Sequence, residues 1–240
     1  MILENVMEFI DLSYYKILPQ QSGITPKILV SEITNEIEFI ACTDTYNTTI
    51  DFVVSKIMEH SGINTEPVYW GSDLRFYEQN YVTLTKFNLS NNWVYFGDNE
   101  ILDNLKNKSE IDFSFMLSSI LGGNMWSEDL IGFVDEDNNL KKSFHYNMMF
   151  EVELAMYAAG HTRAAAVFEK ISSDFDEIFE DDDEETFESM RPYVEKFLEV
   201  KKSDWFNILK FPQNSKFEKC KFWAIKKITE AQKILKKRYE

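Results

Sequence analysis

Cysteine is scarce in this chain. Cys42 and Cys220 stand far apart and form no CxxC pair, so neither a disulfide framework nor a zinc knuckle is expected, and a reducing cytosol is the expected compartment. Glycine and proline are also sparse, at 8 and 5 residues in 240, which excludes collagen-like and low-complexity classes. No apolar run reaches the roughly 20 residues that a membrane-spanning helix needs, so no membrane association is expected. Residues 1–18 carry Glu4, Glu8 and Asp11 with no basic region ahead of an apolar run, which does not fit a signal peptide.

Catalytic and binding signatures are missing as well. The chain contains no GxxxxGK[ST], GxGxxG, HExxH or GxSxG. Its three histidines are His60, His145 and His161; the last two flank residues 147–160 and sit too far apart on a helix to share a metal. Glu151 and Glu153 project about 160° apart on a helix, which builds no acid/base pair. A Cys-His nucleophile would have to use Cys42, yet Ala41-Cys42-Thr43-Asp44 matches no nucleophile signature. Asp181, Asp182 and Asp183 lack the alternating ligands and glycine of an EF-hand loop. No catalytic residue, metal or cofactor is therefore assigned from sequence.

What is present is a large core and an uneven charge. Hydrophobic residues make up 44% of the chain and aromatics 15%, enough to offset the ordering entropy of folding, so global disorder is excluded. The net charge of −16 is spread unequally: residues 1–100 hold 14 acids and 5 bases, 101–200 hold 23 and 8, and 201–240 hold 4 and 12. Residues 174–188 alone carry ten acids and no base.

The periodicities predict an α+β fold: a mixed part over 1–142 and a helical bundle over 143–240, which together could form one continuous domain. The bundle is organised around a helix at 147–160 that is apolar on all sides and hence buried. In the first part, a helix is expected over 2–18, strands over 28–33 and 37–42, and a helix capped by Thr48 and stopped by Gly62. Strands follow at 68–70, 81–84 and 93–96, the last two as a hairpin, then a helix at 98–105 and another at 111–121. A second hairpin turns at 135–139.

In the second part, a helix from Thr162 to about 178 packs on the central one. Tyr157, Gly160, Ala164, Phe168 and Ile171 resemble the middle of a tetratricopeptide-type helix pair, but no second copy follows, so the stretch reads as a tight αα-hairpin. Pro192 starts or kinks a helix around 187–197, and Ser203 or Asp204 caps a brief turn that Pro212 ends. The last helix, 215–238, has an apolar stripe (Phe217, Cys220, Ala224, Ile228, Ala231, Leu235) opposite a basic one (Lys219, Lys226, Lys233, Lys237), with Phe222 and Trp223 beside the lysines.

From its charge, the expected function is a non-enzymatic acidic binding module of the inhibitor or immunity-protein type that covers a basic site on a nuclease or toxin; its cysteine usage suggests the cytoplasm, and its excess of Lys over Arg (21 against 4) with abundant Asn, Ile and Phe a bacterial or phage origin. Its contact residues would be Asp174, Asp176, Glu177, Glu180, Asp181, Asp182, Asp183, Glu184 and Glu185, and direct binding to nucleic acid is not expected. Two alternatives stand beside it. One is a helical adaptor or homodimer that uses the basic stripe; the other is an enzyme with its site between the two halves.

Overall fold

The computed structural model describes residues 9–18, 26–42, 45–72, 81–86, 92–95, 104–122, 130–144, 184–213 and 216–239. The fold is α+β. Strands β1 (Phe9–Asp11), β2 (Tyr15–Ile17), β3 (Pro26–Ser31), β4 (Ile37–Cys42), β5 (Val68–Ser72) and β6 (Tyr81–Lys86) form one sheet in the order β1-β5-β6-β4-β3-β2. Helix α1 (Thr45–Ser61) connects β4 to β5. A second sheet, β7-β8-β9, pairs Asn92–Tyr95 with the hairpin Leu130–Val134 and Leu140–Phe144. The remaining described elements are helices α2 (Lys108–Gly122), α3 (Glu184–Glu199), α4 (Lys202–Ile208) and α5 (Lys216–Tyr239).

The two edge strands of the large sheet are neighbours in sequence. A single 3-10 turn, Leu12–Tyr14, carries the chain from β1 to β2, with the Asp11 carboxylate accepting the Ser13 amide at 2.9 Å. The sheet must therefore curl until its edges approach. Leu12, Leu29, Phe39, Ala41, Val82 and Leu84 fill the inside of that curl as a small core of their own. The outward positions of β5 face α1 and the other helices, where Phe52, Val68, Trp70, Phe113, Phe197, Trp205, Phe217 and Ile228 belong to one larger core. Helix α5 is the hub of this larger core. It packs against α1, α2, α3 and α4, and buries Trp223, Ile225 and Lys227 in addition to its expected apolar stripe.

Several expectations need correction. Residues 9–17 are strand, 3-10 turn and strand rather than helix: Phe9, Ile10, Leu12, Tyr15 and Ile17 suit a curled sheet, and parallel pairing of Phe9 with Trp70 satisfies the backbone there. Thr48 is not the N-terminal cap; α1 begins at Thr45 and buries Thr48 inside it. The 81–84 and 93–96 runs are no hairpin, because β6 lies in the first sheet and β7 in the second. Ile33 belongs to the β3–β4 turn, 78% exposed, where Asn35 takes φ 60°.

Other expectations hold. Strand β4 has the bounds read from sequence, and the hairpin at 135–139 is formed, with Asn138 at φ 65°. Gly62 ends α1 at φ +81°, with Ile63 N–H donating to Met58 O (3.0 Å) and Gly62 N–H to Glu59 O (3.2 Å), the paired bonds of a Schellman stop. Pro192, by contrast, does not start its helix: α3 begins at Glu184 and runs through it. The buried helix at 147–160 and the helix from Thr162 lie outside the described residues, as does the helix expected at 98–105 except for Asn104 and Leu105, which are not helical.

Candidate functional site

The curled sheet is fastened to the helical part by an aromatic cluster. Trp70 on β5 lies 5.0 Å from Phe52 on α1 and 5.2 Å from Phe217 on α5, ring centre to ring centre, and Phe211 closes the group 5.3 Å from Phe52. The Trp70 indole N–H donates to Lys210 O at 3.1 Å. Between α1 and β6 the packing is rich in hydroxyls: Thr48, Thr49, Ser55, Thr83 and Thr85 are all buried. Ile40 alternates with Phe39 and Ala41, which point into the curl, so it projects from the opposite face of β4; it and Val30 are half-buried and belong to neither core. Among the described residues, Val30 and Ile40 thus form a half-buried apolar face of β3 and β4 on the side of α1.

In the helical part the chain leaves a groove of about 590 Å³ between α3 and α5. The helices run antiparallel: Gln232 Nε2 donates to Phe197 O (2.7 Å) and Val200 O (2.8 Å), and Tyr239 OH donates to Phe187 O (2.9 Å). Val194, Leu198 and Tyr239 give the groove an apolar floor. Near α2, burial and the Glu110 carboxylate push the Tyr193 hydroxyl above its ordinary range. On α5, burial lowers the Lys221 ammonium, which donates to Phe206 O.

The residues singled out from sequence scatter. Asp174, Asp176, Glu177, Glu180, Asp181, Asp182 and Asp183 lie outside the described residues, as do His145 and His161. Glu184 opens α3 and Glu185 is exposed in its first turn. Lys226, Lys233 and Lys237 are exposed along α5, and Lys219 lies in its first half. Phe222 is 64% exposed beside Lys226, whereas Trp223 is buried. Cys220 is buried and outside any disulfide among the described residues. His60 stacks edge-on against Trp205 at 5.9 Å, at the far end of α1 from Cys42. At about 1.5 Å per residue the two ends of α1 are more than 20 Å apart. Among the described residues no cluster of three His, Cys, Asp or Glu side chains is placed to hold a metal. Among them, too, no helix is long and apolar enough to cross a membrane.

Sequence reasoning missed two features. One is the open face of β3 and β4, hidden because Ile40 reads as one more core residue of an apolar strand. The other is the groove, which the i, i+4 pairs Val194/Leu198 and Glu195/Glu199 announce side by side on α3.

The arrangement of the described residues, a curled sheet with one helix inserted after its fourth strand and further helices attached, is similar to that of a solved structure. The crystal structure of a Helicobacter pylori proinflammatory kinase, CtkA, superposes with a TM-score of 0.53, covering 96% of this chain and 98% of that one at 9% identity. No family model matches the chain, and no curated protein matches it in sequence.

This likeness corrects the functional expectation. The non-enzymatic inhibitor rested on net charge, which governs association and carries no information about fold; the chain instead shares the fold of an enzyme along nearly its whole length. The marks that kinases carry in sequence are nonetheless missing. Protein kinases hold the nucleotide phosphates with a lysine on the strand before the inserted helix, and they carry a glycine-rich loop, a His-Arg-Asp and an Asp-Phe-Gly. Here β4 reads Ile-Glu-Phe-Ile-Ala-Cys, with no lysine, and none of the other three motifs occurs.

Proposed function

We propose that the protein is a phosphotransferase that binds a nucleoside triphosphate between the curled sheet and the helical part. The observation that carries this reading is the likeness in fold to a kinase over 96% of the chain. The open face beside α1 supports it: Val30 and Ile40 offer a half-buried apolar surface of the kind that receives a nucleobase. Phosphoryl transfer asks chiefly for positioning and for neutralisation of charge, so the absence of a β4 lysine changes what neutralises the phosphates. With no cation on that strand, affinity is expected to depend steeply on Mg²⁺.

The test is calorimetric titration of the full chain with ATP and GTP, with and without Mg²⁺, followed by incubation with γ-labelled nucleotide. The expected result is Mg²⁺-dependent binding, transfer of the labelled γ-phosphoryl group to a hydroxyl of the chain itself or to water with release of the diphosphate, and at least a tenfold loss of affinity in Ile40→Glu, compared at a temperature where circular dichroism shows that variant folded. No binding at millimolar nucleotide would overturn the reading; binding without diphosphate release would overturn its transferase half.

A further inference from the structure

The two walls of the α3–α5 groove carry opposite charge. Glu195 and Glu199 stand exposed along the α3 wall, and Lys233 and Lys236 along the α5 wall. Arg191, the one cation among the α3 residues that line the groove, is engaged at its end by an ion pair with Glu188 and by stacking 5.3 Å over the Tyr239 ring, and it also feels the Glu195 carboxylate, which leaves Glu199 at the other end of the wall. An apolar floor between an acidic and a basic ridge is the cross-section of half a four-helix bundle, which two facing helix pairs complete by filling the centre with side chains from both sides.

We infer that this groove is a homodimer interface, in which α3 and α5 of one copy close over α5 and α3 of a second copy. The charge pattern selects the symmetry. A two-fold axis running along the groove lays the acidic wall of each copy against the basic wall of the other, and it does so twice. An axis across the groove would set acid on acid and base on base, and is excluded by repulsion. A second copy is therefore the occupant whose charges match this groove in both walls at once. Neither the nucleotide reading nor the kinase likeness is needed for it.

The experiment is sedimentation equilibrium of the full chain over a wide concentration range at low and high salt, with two charge-reversed variants. Lys233→Glu/Lys236→Glu makes both walls acidic, and Glu195→Lys/Glu199→Lys makes both walls basic. The wild type is expected to dimerise, more weakly at high salt. Each variant alone is expected to lose at least about tenfold in dimer affinity, while an equimolar mixture of the two restores a heterodimer, since every seam is then complementary. These four positions are exposed, so both variants should keep the wild-type circular dichroism and melting temperature. A wild type that stays monomeric at all concentrations overturns the proposal, and so does a mixture that stays monomeric.

Discussion

Gly71 on β5 faces Leu12 in the turn between β1 and β2 so closely that a Cβ at position 71 would stand 3.0 Å from Leu12 Cδ1, and 2.7 Å from Leu84 Cδ1. The curl of the sheet is drawn tight at this point, and only a residue without a side chain fits. Gly71→Ala is therefore expected to destabilise the protein by about 1–3 kcal/mol through overpacking, read as a lower urea midpoint at unchanged slope. Leu12→Ala should cost less in the Gly71→Ala background than in the wild type, because there it also removes one of the two crowding groups.

Tyr15 closes the mouth of the same curl. Its hydroxyl donates to Glu38 Oε2 at 2.9 Å, and burial together with the neighbouring carboxylate pushes its pKa up from 10.0 to about 12. A phenol with a raised folded pKa contributes stability that is present in full below pH 10 and is lost as the pH rises toward 12. Stability measured from pH 9 to 12 should fall more steeply in the wild type than in Tyr15→Phe, which at neutral pH should be weaker by about 1 kcal/mol for the missing hydrogen bond.

Trp70 joins the two parts of the molecule. Trp70→Ala empties the space between Phe52, Phe211 and Phe217 and is expected to cost about 3–5 kcal/mol. Trp70→Phe keeps most of the ring contacts but leaves Lys210 O without the indole donor. It should therefore cost distinctly less than the alanine variant, and chemical denaturation of both separates packing from hydrogen bonding.

Asn107 acts as a clasp on the second sheet. Its Oδ1 accepts the Leu140 amide at 3.0 Å, and its Nδ2 donates to Leu140 O at 3.2 Å and to Glu110 Oε2 at 2.9 Å. Asn107→Ala is expected to cost about 1–3 kcal/mol, because it strands polar groups of a half-buried backbone. Amide exchange at Leu140 should quicken in that variant, while exchange within β3 and β4 stays unchanged.

Local chemistry was legible in the sequence and long-range pairing was not. Gly62 announces its own φ, and the alternation of Ile37–Cys42 is a strand in any context. Residues 2–18 satisfy a helical spacing as well as a strand spacing, and the deciding partner, Trp70, is remote in the chain. Thr48 suits a cap because hydroxyls favour helix starts, whereas in the structure it is buried within α1. The stripes of α5 were read correctly as to Phe217, Cys220, Ala224, Ile228, Ala231 and Leu235, but Trp223 and Lys227 show that neighbours on three sides bury more of the helix than periodicity suggests. The functional expectation went astray for a similar reason: acid count is visible in composition, while the ordering of strands around α1 is visible only once the chain is folded.

The short connection from β1 to β2 has a consequence for the cell. Both edges of the six-stranded sheet are strands of three residues, taken from one continuous segment. An edge that short offers few unpaired backbone groups to a passing chain, and the turn between them brings the two edges toward each other. A sheet whose body includes strands as apolar as β3 and β4 would otherwise be a template for fibrillar growth. Here the segment that completes the curl also guards the sheet against aggregation.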